Sequence, residues 1–217
     1  MNTAVIISGS GSNLQAFIDA SQNGQLDARL AVVLSNRADA YGLQRAAHAD
    51  IAAVTVDHRD YSRREDFDQA MLQALAPYAV DLIILAGFMR ILTPVFISAY
   101  RGRLLNIHPS LLPKYPGLNT HQRALDAGDE EAGATVHFVT EELDGGPPIL
   151  QASVPIVSGD DSTALAARVL EQEHRIYPAA AQWFAQGRLE LSGATALLDG
   201  APIPACGVRF QAQGASE

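Results

Sequence analysis

Residues 3–18 read TAVIISGSGSNLQAFI, and this stretch indicates the fold. Its first six residues are mostly β-branched, which favours a β-strand. The turn Gly-Ser-Gly-Ser-Asn follows at 9–13, after which Leu14, Phe17 and Ile18 recur at helical spacing. The segment therefore predicts a strand, a glycine-rich turn and a helix, in that order.

The same alternation continues through the first half of the chain. Strands are predicted over 30–34, 52–56 and 81–86, with helices over 41–48 and about 63–75. The last of these strands, DLIILA, is almost continuously apolar, which is typical of a strand that is buried on both faces. Strands that alternate with helices predict an α/β fold with a twisted, mostly parallel sheet, helices on both faces and a Rossmann-like N-terminal half.

The second half has a different rhythm. The pattern predicts strands over 103–108, 134–139 and 149–155, a helix over about 162–186 that Pro178 kinks, and a strand with a hairpin after Gly187. We expect residues 1–217 to form a single domain whose two halves meet near residue 100 inside one continuous sheet.

The bulk composition excludes several classes of protein. The chain has 217 residues, is 48% hydrophobic and carries a net charge of −9. That charge argues against a nucleic-acid partner, but it permits a pocket for a small anion. No apolar run reaches the roughly 18 residues of a membrane span, no basic leader opens the sequence, and the sole cysteine is Cys206. We expect a cytoplasmic protein that does not bind membranes.

The glycine-rich turn has two interpretations. Gly9 and Gly11 can expose backbone N–H groups next to a helix N-terminus, which is a phosphate-binding arrangement. The dinucleotide fingerprint also needs a third glycine, but Leu14 occupies that position. A purely structural turn with Ser12 or Asn13 as the helix cap explains the pattern equally well.

Candidate catalytic groups lie on the strand before Pro109. Because strand residues two apart share a face, Asn106 and His108 point the same way. An amide and an imidazole together can hydrogen-bond a carbonyl oxygen that becomes negative, and the imidazole can also donate a proton. A capped polar strand end is the alternative interpretation.

Asp144 is ambiguous from its local sequence. The pair Asp144-Gly145 is typical of a hairpin turn between two predicted strands. If Asp144 instead lay beside His108, its carboxylate would fix the tautomer of the imidazole and stabilise its charge. His121 and His137 flank the loop region and could approach the same site. No paired-cysteine or HExxH spacing occurs, so no metal is predicted.

Five segments of the chain resemble the folate-dependent glycinamide ribonucleotide formyltransferase family. They are ISGSGSNLQA at 7–16, LAGFMRIL at 85–92, GRLLNIHPSLLPKYPGL at 102–118, HFVTEELDGGP at 137–147, and QEH with IYP at 172–178. The resemblance extends from about residue 4 to about residue 190. It implies a formyltransferase fold and the transfer of a formyl group from 10-formyltetrahydrofolate to the amine of N1-(5-phospho-D-ribosyl)glycinamide in purine (IMP) biosynthesis.

The resemblance also implies roles for individual residues. Asn106, His108 and Asp144 match the family's catalytic trio, in which the amine attacks directly and a tetrahedral intermediate forms. The nucleotide-binding positions are Gly11, Ser12, Asn13 and Glu173. The folate-binding positions are Arg64, Met89, Arg90, Ile91, Leu92, Asn106, Thr140, Glu141, Glu142, Leu143 and Asp144. Leu170 departs from the family, where a glutamine-like side chain is expected.

The same resemblance divides the chain into functional halves. Residues 1–100 are expected to bind the nucleotide phosphate, residues 101–190 to bind folate and perform the chemistry, and 191–217 to form a tail. The expected partners are two small molecules, glycinamide ribonucleotide and the reduced folate. The expected protein is a monomer or weak homodimer.

Four alternatives stay open at this point. A formyltransferase acting on aminoacylated tRNA shares the 102–118 motif, but it normally carries a further C-terminal domain and meets RNA. A formyl-folate hydrolase usually adds an N-terminal regulatory domain. A nicotinamide-dependent oxidoreductase is weakened by the incomplete glycine fingerprint. A non-catalytic nucleotide-binding module would not need Asn106, His108 and Asp144, and their presence counts against it.

Overall fold

The computed structural model describes residues 1–210. Within that range the strands are β1 (Asn2–Ile7), β2 (Arg29–Ser35), β3 (Ala52–Thr55), β4 (Leu82–Leu85), β5 (Leu104–His108), β6 (Glu131–Phe138), β7 (Pro148–Pro155), β8 (Leu189–Ser192), β9 (Thr195–Leu198), β10 (Ala201–Pro202) and β11 (Val208–Arg209). The α-helices are α1 (Ser12–Gln22), α2 (Gly42–His48), α3 (Arg64–Leu75), α4 (Pro94–Ala99), α5 (Thr120–Asp126) and α6 (Ser162–Ala185).

Eight of these strands form one sheet, which contains strands from both halves of the chain. Their order is β11-β7-β6-β5-β4-β1-β2-β3. β1 to β5 pair in parallel, β6 runs antiparallel to both β5 and β7, and β11 pairs in parallel with β7. The predicted α/β class with a mostly parallel sheet is confirmed. The pairing of β4 with β5 makes the sheet continuous across residue 100.

The two faces of the sheet bury separate apolar clusters. Alternate residues of β1 supply both, since Val5 and Ile7 face α1 and α6 while Ala4 and Ile6 face α3 and α4. β4 divides in the same way, as its unbroken apolar sequence predicts. The resulting helix–sheet–helix layers leave the strand ends as the positions where polar side chains can reach a ligand.

The C-terminal part differs from the sequence prediction in one respect. The predicted hairpin exists as β8 and β9, but β10 extends it to a small three-stranded sheet, and β11 returns to the edge of the main sheet. The single helix predicted over about 162–186 is confirmed as α6, with Pro178 in its interior. Residues 211–217 of the predicted tail lie outside the described residues.

Tyr177 of α6 is fully buried and ties that helix to the centre of the sheet. Its hydroxyl lies 3.0 Å from the carbonyl oxygen of Leu85 and 2.9 Å from that of Leu105. Its ring meets Phe17 of α1 edge-on at 5.1 Å between centroids. One side chain therefore joins α1, α6, β4 and β5.

We expect Tyr177→Phe to lower the free energy of unfolding by about 1–3 kcal/mol, because it leaves buried carbonyl oxygens without their donor. Urea unfolding measures the loss. Tyr41→Phe is the matched control, since Tyr41 is half exposed, and its unfolding midpoint should not move. Equal midpoints for the two variants would contradict the assignment of Tyr177 as an anchor.

Candidate active site

The end of β5 carries the two predicted catalytic groups. Asn106 pairs with His137 of β6, and His108 pairs with Thr135. The intervening Ile107 belongs to the apolar cluster under α6. The predicted sharing of one strand face by Asn106 and His108 thus follows from the ordinary alternation of a strand.

Both ring nitrogens of His108 face oxygen atoms. Nε2 lies 2.8 Å from the backbone oxygen of Tyr115, and because a carbonyl can only accept, Nε2 carries a proton. Nδ1 lies 3.4 Å from Oδ2 of Asp144. The imidazole is buried, so these two contacts determine its orientation.

Asp144 reaches this position from a nine-residue connection between β6 and β7, residues 139–147. The backbone N–H of Gly117 donates to its Oδ2 at 2.9 Å. Asp144 itself has a left-handed backbone with φ 51°, and a Cβ at Gly146 would overlap the carbonyl oxygen of Phe138. The connection is therefore longer than the two-residue hairpin that Asp-Gly indicates, and it turns the carboxylate toward His108.

His137 belongs to the same cluster, a placement that the sequence analysis left open. Its Nδ1 lies 2.9 Å from the carbonyl oxygen of Phe138, so Nδ1 is the protonated nitrogen. Nε2 is left as the acceptor for the amide nitrogen of Asn106 at 3.2 Å, and it lies 4.0 Å from Oδ1 of Asp144. This contact fixes which way the Asn106 amide faces. In the sequence, this placement was indicated only by the polar residues Thr135 and His137 within the apolar part of β6.

Burial lowers the pKa of His137 from 6.5 to about 4, although the Phe138 carbonyl and the Asp144 charge oppose the shift. Between those two pH values the unfolded chain binds a proton that the folded protein does not bind. The free energy of unfolding should therefore fall as the pH is lowered from 6.5 to 4, with His137 contributing about 3 kcal/mol.

Urea unfolding at a series of pH values tests this contribution, with His137→Gln as the comparison. Burial raises the pKa of the Glu173 carboxyl, which gives a contribution of opposite sign, but that contribution is common to both proteins. The wild-type slope should be the steeper over pH 4–6.5. Parallel slopes would mean that His137 is not the buried neutral group described.

The glycine-rich turn joins β1 to α1 as predicted. Gly11 has φ 70°, and a Cβ there would lie 2.8 Å from the Cα of Gly42. Gly42 in turn donates its N–H to the Gly9 oxygen at 3.0 Å. Among the described residues no side chain caps the N-terminus of α1, and its first turn contains no acidic residue. The helix end can therefore accept an anion.

Asn13 and Glu173 meet beside this turn although they lie far apart in the sequence. The Asn13 amide donates to Oε2 of Glu173 at 2.7 Å, and both residues are buried. Oδ1 of Asn13 has no hydrogen-bond partner within residues 1–210. Leu170 lies one turn earlier on α6 and is half buried. A buried polar atom without a partner is consistent with a binding site for a polar ligand.

The segment after β4 contains four predicted binding residues. The N–H of Met89 donates to Oγ of Ser8, at the end of β1, over 2.9 Å. Met89 is 76% exposed and Ile91 is 55% exposed, whereas Leu92 points into the core. The Arg90 guanidinium lies 5.9 Å from the ring centroid of Phe67. Arg64 stands exposed at the start of α3.

The connection 139–147 contains the predicted folate-binding residues Thr140, Glu141, Glu142, Leu143 and Asp144. Thr140 is half buried, and its hydroxyl lies 3.5 Å from the backbone oxygen of Glu142. Glu141 and Glu142 are exposed, and Leu143, next to Asp144, is 55% exposed. The exposed apolar side chains of these two segments, Met89, Ile91 and Leu143, suit a flat, partly apolar ligand.

Two further features bear on the kind of site this is. Across residues 1–210, His, Cys, Asp and Glu side chains do not gather in threes at a spacing that would hold a metal ion. Over the same residues, none of the helices has the length and apolar character needed to cross a membrane.

Comparisons with known proteins identify the family of the chain. Residues 1–181 match the family described as formyl transferase. A phosphoribosylglycinamide formyltransferase of Escherichia coli (strain K12) is 55% identical over 204 residues, which are 94% of this chain and 96% of that protein. The trifunctional purine biosynthetic protein adenosine-3 of Homo sapiens is 45% identical over 188 residues, covering 87% of this chain and 19% of the longer protein.

Solved structures give the same result. The phosphoribosylglycinamide formyltransferase of Coxiella burnetii, in complex with CHES, superposes with a TM-score of 0.93 at 49% identity, covering 97% of this chain and 99% of that one. A glycinamide ribonucleotide transformylase of Symbiobacterium toebii superposes with a TM-score of 0.89 at 48% identity, covering 91% and 93%. The chain therefore belongs to the formyl transferase family.

Proposed function

We propose that this protein transfers the formyl group of 10-formyltetrahydrofolate to the amine of N1-(5-phospho-D-ribosyl)glycinamide, in de novo purine biosynthesis. The observation that carries the proposal is the pairing of His108 with Asp144 at 3.4 Å, in the same cluster as Asn106. The relatives that share this chain's length bear the name of that activity. The folate supplies an activated formyl group when it is bound.

Three side chains divide the chemistry. When the amine attacks the formyl carbon, negative charge develops on the formyl oxygen, and the Asn106 amide and the His108 imidazole stabilise it. His108 also donates the proton that the leaving nitrogen needs, and it takes up a proton that the attacking amine gives up. For this, its Nε2–H exchanges the Tyr115 carbonyl for the substrate. Asp144 supports the charged imidazole from 3.4 Å away. No step requires a covalent bond to the protein.

Positioning is assigned to His137 within the same cluster. The nitrogen that carries its proton is turned to the Phe138 carbonyl, so its other nitrogen can only accept from Asn106. That contact leaves one amide N–H of Asn106 to face the substrate. Because His137 is neutral, it places no positive charge next to the Asn106 amide.

The nucleotide is assigned to the first half of the chain, residues 1–100, together with Glu173. Its phosphate would accept from backbone N–H groups of Gly11, Ser12 and Asn13 at the uncapped start of α1. Glu173, which accepts a hydrogen bond from Asn13, would bind the ribose. Leu170 offers no polar contact, so Leu170→Gln should tighten nucleotide binding if that position touches the ligand.

The folate is assigned mainly to residues 101–190. The Asn106 amide and the Thr140–Asp144 segment would hold it on one side, and the Met89–Leu92 segment with Arg64 would hold it on the other. The exposed side chains of Met89, Ile91 and Leu143 suit a flat heterocycle, and the Arg64 and Arg90 guanidinium groups suit carboxylates. Residues 191–217 are assigned no part in either site.

The location, the oligomeric state and the partners of the protein are also proposals. We place the protein in the cytoplasm as a monomer or weak homodimer with two small-molecule substrates. The net charge of −9 supports the expectation that nucleic acid is not a partner.

The test is a spectroscopic assay of folate deformylation with purified protein. Glycinamide ribonucleotide should start the reaction, and glycinamide riboside, which lacks the phosphate, should require a much higher concentration. Deformylation at the same rate without any amine would instead identify a formyl-folate hydrolase. Turnover with a different amine, but not with the nucleotide, would remove the substrate assignment.

A further inference from the structure

A buried carboxylate lies behind the Met89–Leu92 segment, which is proposed to form one wall of the folate site. Asp68 of α3 is 1% exposed. Its Oδ2 accepts from the backbone N–H of Thr93 at 2.6 Å and from the Thr93 hydroxyl at 2.7 Å. Thr93 is itself buried and directly follows Leu92. One oxygen atom of Asp68 thus holds the C-terminal end of the wall.

The rest of the wall is held by weaker means. At its other end, Met89 donates to Oγ of Ser8 at 2.9 Å. In its middle, the Arg90 guanidinium lies over Phe67, the residue before Asp68 on α3. The described residues 86–93, between β4 and α4, form neither strand nor helix, so no regular backbone ladder fixes them. Within residues 1–210, the two Asp68–Thr93 hydrogen bonds are the only ones that residues 86–93 receive from a side chain of α3.

The chemistry of Asp68 suggests geometry as its purpose. Burial raises the pKa of the Asp68 carboxyl, while the two Thr93 hydrogen bonds and the charge of Arg64 oppose the rise. A well-packed apolar side chain would avoid that desolvation cost. It could not, however, accept from both the N–H and the hydroxyl of Thr93.

We propose that Asp68 is a positioning residue for folate binding, acting through Thr93 on the Met89–Leu92 segment. The inference rests on the proposed function, because it takes that segment as one wall of the folate site. Asp68 does not touch the substrate. Its effect should therefore appear in the KM for the folate and not in the KM for the nucleotide, which binds at the start of α1.

Steady-state kinetics with each substrate varied in turn tests the inference. We expect Asp68→Ala to raise the KM for 10-formyltetrahydrofolate about tenfold, the effect of losing a charged hydrogen bond. The KM for glycinamide ribonucleotide should stay within about twofold. Asp66→Ala is the matched control, because Asp66 is an exposed acid on the same helix, and both KM values should match the wild type.

Thr93 provides a gentler pair of variants should Asp68→Ala fail to fold. Thr93→Val keeps the shape and the backbone N–H but removes the hydroxyl, so the folate KM should rise about threefold. Thr93→Ser keeps the hydroxyl and should restore the wild-type folate KM. A lower unfolding temperature with an unchanged folate KM in Thr93→Val, or in a folded Asp68→Ala, would overturn the proposal, as would a parallel rise in both KM values.

Arg90→Ala separates this inference from the proposed function. If that variant leaves the folate KM unchanged, the Met89–Leu92 segment is not a folate wall and the proposed site itself is wrong. If Arg90→Ala raises the folate KM while Asp68→Ala and Thr93→Val do not, the wall stands and only the role of Asp68 is overturned.

Discussion

His108→Ala should reduce kcat for formyl transfer by about 10²–10⁴-fold, the range typical of a lost general acid. The wild-type imidazole is buried, with Nε2–H toward the Tyr115 carbonyl and Nδ1 at 3.4 Å from Asp144. In the proposed mechanism, alanine removes both the proton donor and one oxyanion contact. The dissociation constant for the folate should change far less, because the proposed folate walls belong to other segments.

Steady-state turnover and equilibrium folate binding, measured on the same preparation, separate these two effects. His48→Ala is the matched control, since His48 is exposed on α2, and its turnover should equal that of the wild type. Near-normal turnover in His108→Ala would remove the imidazole from the mechanism. An equal loss of binding and turnover would assign it to binding alone.

Asp144→Asn should also reduce kcat by about 10²–10⁴-fold. The amide oxygen can still accept from the N–H of Gly117, so the connection 139–147 keeps its anchor. What disappears is the negative charge beside Nδ1 of His108, which stabilises the protonated ring. The change is nearly isosteric, so a large loss with an unchanged fold would be an electrostatic effect.

Circular dichroism and thermal unfolding should show that Asp144→Asn is folded. Asp126→Asn is the matched control, because Asp126 lies on the exposed face of α5, and its activity should be that of the wild type. If Asp144→Asn turns over at a rate close to the wild type, the carboxylate charge has no part in the reaction and Asp144 serves only to hold the loop.

The features that the sequence predicted well depend on local patterns. A β-branched run followed by Gly9 and Gly11 specified β1, the turn and α1, because glycine conformation and helical spacing act over a few residues. The alternation of a strand placed Asn106 and His108 on one face. The continuously apolar β4 likewise indicated a strand covered on both sides.

The features that local patterns could not predict depend on contacts between distant residues, and only the resemblance implied that Asp144 and Glu173 belong to the site. Asp144 has the local sequence of a hairpin turn, and only the nine-residue connection, with its left-handed backbone at Asp144, turns its carboxylate toward His108. His137 joins the site because β6 pairs antiparallel with β5, a register that alternation alone does not give. The Asn13–Glu173 bond depends on how α6 packs against α1.

The most direct measurement is a single-turnover reaction with a labelled formyl group on 10-formyltetrahydrofolate, quenched at successive times. If the cluster of Asn106, His108 and Asp144 directs attack by the glycinamide amine, the label should pass from the folate to glycinamide ribonucleotide with matching time courses. Neither protein-bound label nor free formate should accumulate. Label on the protein, or its release as formate in the presence of the nucleotide, would contradict direct transfer.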